Sequence, residues 1–301
     1  MRLGSASVVN SVSKVVVLGG NGFLGLPISE SLKEHGHEVF VFSRKASNSD
    51  SGNSFLVDLF DTKSLRQAME FCKPEIVVCT AWDTEHGKFW DSSLNPKYQS
   101  FTLKFAEMSF ELGVSKFLAF GTVSEYGIDP GLCNSAESEL IGTDQYSRAK
   151  IETGISLKAL GDSFDRKTNW LRIFQAFGPN ENPDRFIPGL ISSVNSGKSF
   201  SIRTPNYVMD WIHSHDIASA VLYALEKDLD HFIDVGTGIG TSVKSISELV
   251  CETLNLNSSF LDYTNEIPNH KKTAVVSQAS PLLLSGWRPT VSLKERIASL
   301  G

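Results

Sequence analysis

The feature that most constrains this chain is a short apolar run, Lys14-Val15-Val16-Val17-Leu18. It passes directly into Gly19-Gly20-Asn21-Gly22-Phe23-Leu24-Gly25 and then into apolar residues at helical spacing. That order predicts a buried strand, a Gly-x-x-Gly-x-x-Gly turn and a helix. In such a unit the first glycine permits the tight turn, the second lets the backbone approach a pyrophosphate, and the third lets the helix close on the sheet. The N–H groups at the helix start then face an anion. Gly19, Asn21, Gly22, Phe23, Leu24 and Gly25 are therefore the first candidate cofactor contacts. A glycine triplet alone also fits an ordinary turn, so the reading depends on the rest of the chain.

Downstream of the turn the chain alternates regularly. Residues 38–42, 54–57, 75–80, 116–120 and 170–174 read as strands. Residues 23–35, 61–71 and 96–112 and a stretch within 141–161 read as helices, and Gly113 stands where a glycine commonly closes a helix. Strands separated by helices of this length imply crossovers and a parallel sheet. The expected fold is α/β, a Rossmann-type doubly wound parallel sheet, with its ligand crevice at the carboxyl ends of the strands. After Gly178-Pro179 the pattern loosens into a strand at 199–203, a helix at 215–227, a strand at 231–235 and a helix at 243–254 that Ser242 is placed to cap. The expected division is a tail at 1–13, a dinucleotide-binding domain at 14–178, and a smaller C-terminal lobe over 179–301 with some segments returning to the main domain.

The second chemical signal is Tyr146-Ser147-Arg148-Ala149-Lys150. Tyr146 and Lys150 are four apart on one helix and share a face. A phenol is a poor base near neutrality, and a nearby ammonium favours its ionised form. Thr122, just after the strand at 116–120, is placed to hold a substrate oxygen beside the Tyr146 hydroxyl. Thr122, Tyr146 and Lys150 together suit hydride chemistry: the tyrosine moves the proton, the threonine orients the oxygen, and the lysine tunes the tyrosine and holds a ribose. Tyr-x-x-x-Lys also arises by chance on surface helices; its company here, a Gly-rich turn and a strand-end threonine, is what singles it out.

Acidic residues outnumber basic ones, 34 to 28, which does not suit a general nucleic-acid binder. No apolar run reaches the length of a membrane span, and the first ten residues lack the apolar core and cleavage site of a signal peptide. Cys72, Cys79, Cys133 and Cys251 lack metal-type spacing and are expected to be reduced, as in a cytoplasmic enzyme. His213, His215 and Asp216 invite a metal reading by composition, but the lobe shows no fuller ligand set, and no metal is expected.

The chain resembles the extended short-chain dehydrogenase/reductases, in the nucleotide-sugar epimerase, dehydratase and reductase branch. Matching segments occur in order: Gly19 to Gly25; Phe120-Gly121-Thr122-Val123-Ser124-Glu125-Tyr126-Gly127; Tyr146 to Lys150; Arg172-Ile173-Phe174-Gln175-Ala176-Phe177-Gly178-Pro179; Asp210-Trp211-Ile212-His213-Ser214-His215-Asp216-Ile217-Ala218; and the late Gly286-Trp287-Arg288-Pro289. The resemblance implies that Asp58 and Leu59 lie near the adenine, and that Thr80, Ala81 and Trp82 back the pyrophosphate and the nicotinamide ribose; Trp82 is unusual at that place, and packing filler in the substrate lobe is the alternative for it. It further implies a nucleoside-diphosphate sugar held by Thr122, Val123, Ser124, Gln175, Asn182, Arg185 and Phe186. Met209 stands where the family has an arginine, and Arg203 is a nearby substitute. Homodimerisation through the helices at 96–112 and 141–161 is also implied; Phe101, Phe105, Met108 and Phe110 crowd the first of these, unless loops around Phe89 and Trp90 cover them.

Cofactor preference and reaction type can be read more finely. No acid occurs from residue 39 to 49, where an NAD-preferring site has one, and Ser43, Arg44 and Lys45 are placed to meet a 2′-phosphate. This favours NADP(H), with NAD(H) as the alternative. The family's dehydratases carry Asp-Glu directly after the threonine, whereas this chain has Val123-Ser124, with Glu125 one position later. The expected activity is therefore NADPH-dependent reduction of a nucleoside-diphosphate 4-keto (deoxy)sugar. The alternatives are a 4-epimerase with the same residues and a non-catalytic dinucleotide-binding protein. His86, in the loop after residue 80, is a candidate sugar contact, and Asn95 is expected to cap the following helix.

Overall fold

The computed structural model describes residues 12–44, 53–128, 130–264 and 274–301. The first half alternates as the sequence predicts: β1 (Lys14–Leu18), α1 (Gly25–Glu34), β2 (Glu38–Ser43), β3 (Ser54–Leu56), α2 (Thr62–Cys72), β4 (Ile76–Cys79), α3 (Asn95–Glu111) and β5 (Lys116–Thr122). After β6 (Gly131–Cys133) come the long α4 (Gln145–Phe164), β7 (Lys167–Ile173) and β8 (Gln175–Phe177). The remainder is α5 (Phe186–Asn195), β9 (Phe200–Ile202), β10 (Val208–His213), α6 (Ser214–Glu226), β11 (Phe232–Val235), β12 (Gly240–Ser242), α7 (Val243–Thr253), β13 (Leu261–Tyr263), β14 (Ala274–Ser277), α8 (Pro281–Leu284) and α9 (Leu293–Ala298).

Seven strands form one parallel sheet in the order β3-β2-β1-β4-β5-β7-β11. The order reverses between β1 and β4, the switch point at which doubly wound sheets bind their ligands. β1 is apolar and buried from Val15 to Leu18 because both of its faces are covered there. Val15 and Val17 join the core on one face, with Ile28 and Leu32 of α1, and Val16 and Leu18 join the core on the other, with Leu65, Met69 and Phe105. The second half of the chain returns β11 to the large sheet and supplies most of a smaller one, in the order β12-β10-β14-β6 with β8 beside β10. Asp210 ties these parts together: its buried carboxylate accepts N–H bonds from Thr237, Gly238 and Ser277.

Local chemistry moves some expected boundaries. β5 runs two residues beyond the expected strand, so Thr122 is its last residue and not the one after it. α4 starts at Gln145 because Asp144 accepts the Ser147 N–H while the Ser147 side chain reaches back, a reciprocal cap. α3 closes at Gly113, whose φ of 93° suits a glycine. Ser242 caps α7 as expected, through the Ser245 N–H. Phe101, Phe105, Met108 and Phe110 are all buried within the single chain. Phe105 packs on Phe101 and Phe117, and Phe110 on Phe117 and Phe164. These side chains therefore offer no apolar face to a second copy. All four cysteines are free and buried. Among the described residues no helix is long and apolar enough to cross a membrane.

Candidate active site

The turn after β1 is shaped by what its glycines lack. Gly19 has φ 82°, and its N–H donates to the Phe42 carbonyl at 2.7 Å. A Cβ on Gly19 would strike the Thr80 hydroxyl, and one on Gly25 would drive into the Gly19 carbonyl. α1 opens from Leu24 with no side-chain cap and no acid in its first turn, so its leading N–H groups receive no acceptor from those side chains. A backbone cradle closed to side chains, at a helix start and at the sheet's switch point, fits a dinucleotide pyrophosphate. Asn21 Nδ2 donates to Ser43 Oγ at 2.9 Å, fastening the turn to the end of β2, and Arg44 stands exposed immediately beyond. Lys45 lies outside the described residues. Asp58 is exposed and accepts the Phe60 N–H at 2.9 Å, whereas Leu59 is buried. The Thr80 N–H and hydroxyl both donate to the Leu18 carbonyl, holding β4 to β1, with Ala81 half-buried beyond it.

The three candidate catalytic residues converge at the end of β5. The Thr122 hydroxyl accepts the Ser124 N–H at 3.3 Å and donates to Ser124 Oγ at 3.3 Å, and Val123 lies between them, half-buried. The Asp144 cap sets the first turn of α4, which carries Tyr146, and Lys150 comes one turn later. Lys150 is 4% exposed, and its ammonium donates to the Phe120 carbonyl at 2.7 Å, on the strand that ends in Thr122. Its nitrogen lies 5.7 Å from the centre of the Tyr146 ring. Burial raises the Tyr146 hydroxyl well above its ordinary value, opposed by a hydrogen bond with Thr122 and by the charge of Arg185. Burial pushes Lys150 down to about 7, opposed by the charge of Glu125. At neutral pH the phenol thus holds its proton, and the lysine is poised between its two forms.

Aromatic rings house this pair. Trp82 lies with its ring 3.7 Å from the Lys150 nitrogen. Phe89, in a 3-10 turn at Phe89–Asp91, sets its ring 4.8 Å from that of Tyr146, and Trp90 stands 5.8 Å from the same ring. Asn95 is not the cap that its position suggests. It is the first residue of α3, fully buried, and no side chain caps that helix. Its amide instead accepts from Trp82 Nε1 at 3.0 Å and donates to the Phe89 carbonyl at 2.8 Å.

Beneath Thr122 lies a charged cluster that the sequence did not disclose. Glu125 turns inward and is fully buried. It accepts the Thr122 N–H at 2.9 Å, Trp170 Nε1 at 3.0 Å and Arg172 Nε at 2.7 Å. Arg172 also reaches the Tyr126 hydroxyl, which donates to Asp234 at 2.7 Å. Buried charges persist when each is paired in this way. Glu125 is thereby committed to holding the turn. Its signal in the chain was slight: Glu125 and Arg172 each fall within a family-like segment, but nothing in the sequence pairs them.

On the substrate side, Gln175 begins β8, and Asn182 accepts the Asp184 N–H at 2.9 Å. Arg185 flanks the start of α5, and its Nε donates to Glu181 at 3.1 Å. Burial raises the Glu181 carboxyl to about 7. Phe186 packs on Phe200 and Trp211. His86 and Arg203 are both exposed. Arg185 is the substrate candidate whose charge is felt at Tyr146.

Residues 15–236 match the family described as NAD dependent epimerase/dehydratase. Among curated relatives, the low-salt glycan biosynthesis protein Agl12 of Haloferax volcanii is 20% identical over 191 residues, which is 63% of this chain and 61% of that one. CDP-abequose synthase of Salmonella typhimurium is 23% identical over 304 residues, 95% of this chain and 96% of that one. The structure of a UDP-N-acetylglucosamine 4-epimerase from Methanobrevibacter ruminantium M1, in complex with UDP-N-acetylmuramic acid, superposes with a TM-score of 0.82 at 21% identity and covers 96% of each chain.

Proposed function

The chain belongs to the NAD dependent epimerase/dehydratase family, and on that premise we propose that it is an NADPH-dependent reductase of a nucleoside-diphosphate 4-keto (deoxy)sugar. The observation that carries the NADPH reading is Arg44, exposed at the end of β2 beside the Asn21–Ser43 pair, with no acid in the segment where an NAD site has one. NADPH is the usual source of reducing hydride. The turn at Gly19, Gly22 and Gly25 holds the pyrophosphate, Arg44 and Ser43 the 2′-phosphate, and Lys150 the nicotinamide ribose.

With a reduced nicotinamide bound by these residues, the cofactor would supply the hydride for a keto carbon. The chain's own part is acid catalysis and orientation. The Thr122 hydroxyl holds the carbonyl oxygen, and the Tyr146 hydroxyl donates its proton to the alkoxide oxygen as the carbon is reduced. A phenol kept protonated by burial is in the right form for that step. Elimination of water needs an acid–base pair after the threonine. Val123 and Ser124 do not supply one, and Glu125 is held by Arg172. Arg185, at the start of α5, is assigned with Asn182 and Phe186 to the nucleotide, and Gln175 and Arg203 to its phosphates.

The second reading is a 4-epimerase, favoured by the superposition on a 4-epimerase and served by the same three residues. The separating experiment incubates the protein with nucleoside-diphosphate 4-keto sugars and their alcohols, with and without NADPH. It tracks reduced-nicotinamide absorbance and the configuration of the product. Stoichiometric NADPH loss with an alcohol product supports the reductase. Interconversion of hydroxyl epimers without net cofactor change overturns it for the epimerase, and cofactor binding without turnover of any substrate points to a non-catalytic role. The same reading places the protein in the cytoplasm, with its cysteines reduced. It also has the protein assemble as a homodimer through the outer surfaces of α3 and α4, where Ile155 is exposed; light scattering at micromolar concentration tests this.

A further inference from the structure

We propose that Asn95 and Trp82 are positioning residues of the catalytic pair. The buried Asn95 amide ties the Trp82 indole over the Lys150 ammonium and the Phe89 ring against Tyr146, so an aromatic face takes the place of a carboxylate counter-ion. The inference rests on the oxidoreductase reading of Tyr146 and Lys150.

Lys150 is nearly removed from solvent, and its hydrogen-bond acceptor is the Phe120 carbonyl. Among the described residues no carboxylate forms an ion pair with it; Glu125 acts on it at longer range. A buried ammonium without a close counter-ion loses its proton readily. The indole face, 3.7 Å from the nitrogen, opposes that loss, because the ring quadrupole attracts a cation most strongly where water is excluded. The groups facing the lysine are Glu125 from the turn after β5, Cys79 from β4, Tyr146 from its own helix, and the rings of Trp82 and Trp170. Burial raises the Cys79 thiol to about 11 and raises the Tyr146 hydroxyl as well, so of these two and Lys150 it is Lys150 that is expected to change charge near neutrality.

Trp82 holds its place through a side-chain hydrogen bond to Asn95, Nε1 to Oδ1 at 3.0 Å. The other end of the same amide donates to the Phe89 carbonyl at 2.8 Å, and Phe89 packs on the Tyr146 ring and on Trp90. Both polar ends of a fully buried side chain are thus used, one on the cover of each catalytic residue. A residue serving only as a helix cap has no reason to be arranged this way.

The test measures NADPH affinity against pH, without substrate, for the wild type and for Trp82→Phe, Trp82→Met, Asn95→Leu and Lys150→Met. In the wild type affinity is expected to fall on the alkaline side as Lys150 loses its proton, and Lys150→Met is expected to lose that limb. Trp82→Phe keeps an aromatic face but loses the bond to Asn95, so its limb should move down no further than that of Asn95→Leu and less than that of Trp82→Met. Trp82→Met keeps an apolar cover without the face, and should move the limb down by about 0.5–1 unit. Asn95→Leu releases the indole and should move the limb the same way. Thermal unfolding of each variant shows which remain folded; if Asn95→Leu does not, the two Trp82 variants decide the matter. A Trp82→Met limb that matches the wild type, or a limb that survives in Lys150→Met, overturns the proposal. Failure of the wild type to bind any nicotinamide dinucleotide overturns the oxidoreductase reading itself, and is told apart by the flat wild-type titration.

Discussion

The Glu125 carboxylate receives the Arg172 guanidinium at 2.7 Å, with both side chains buried, and the same carboxylate accepts the backbone N–H of Thr122. The placement of Thr122 is therefore coupled to a buried ion pair. Glu125→Ala leaves Arg172 charged and unpaired, and is expected to cost about 3–5 kcal/mol of stability. Urea denaturation measures it. The double variant Glu125→Met with Arg172→Met should recover a large part of that loss, because well-packed apolar pairs often replace buried ion pairs at little cost. A single-variant loss below about 1 kcal/mol would show that the pair does not hold this turn.

The fold was legible because a sheet buried on both faces writes itself as uninterrupted apolar runs, as β1 does, and because Gly19 and Gly25 leave no room for a side chain. Tyr146 and Lys150 were legible because their spacing is local. Glu125 and Arg172 were not, being 47 positions apart in the chain. Only the pairing of β5 with β7, which sets Gly121 opposite Arg172, brings the two charges together. Asn95 failed for a related reason. A polar residue at a helix start reads as a cap, but its side chain went to partners on two other segments, Trp82 and Phe89, which no helix-end rule contains. Nothing local to Trp82 reveals its role either, because that role lies in its distance from Lys150.

Tyr146→Phe is expected to lower turnover by about 100-fold or more, the usual contribution of a positioned proton donor. The ring stays against Phe89, so the fold and most of the cofactor affinity should be kept. Steady-state rates beside a cofactor titration check this. Unchanged turnover would remove Tyr146 from the role of proton donor.

Arg44→Ala is expected to weaken NADPH binding about tenfold or more while leaving NADH nearly unchanged. A charge-assisted phosphate contact is worth roughly 1.5–3 kcal/mol, and Arg44 is exposed at the end of β2, where that contact is proposed. Parallel titrations of both cofactors give the ratio. Equal wild-type affinities, or a ratio unmoved by the substitution, would sink the NADPH assignment.

Lys150 carries a cost in stability as well as a proposed role in chemistry. Burial holds its ammonium at about 7 in the folded chain, against 10.5 for an ordinary lysine. Between those values the unfolded chain binds a proton that the folded chain does not, so this group makes stability rise with pH across that window. Below pH 7 both states carry the charge, and the folded state bears the full cost of burying it. Lys150→Met removes that cost and forfeits the bond to the Phe120 carbonyl, worth about 1 kcal/mol. The variant is expected to be more stable than the wild type at pH 7 by about 1–3 kcal/mol, with the gap narrowing by roughly pH 9.5 as the wild-type lysine folds in its neutral form. Lys116, which burial lowers to about 8, adds a similar slope to both proteins and cancels in the difference. Urea midpoints at the two pH values measure the gap. One that stays constant or widens with pH would mean that Lys150 keeps its proton throughout, and that its neighbours compensate its burial fully.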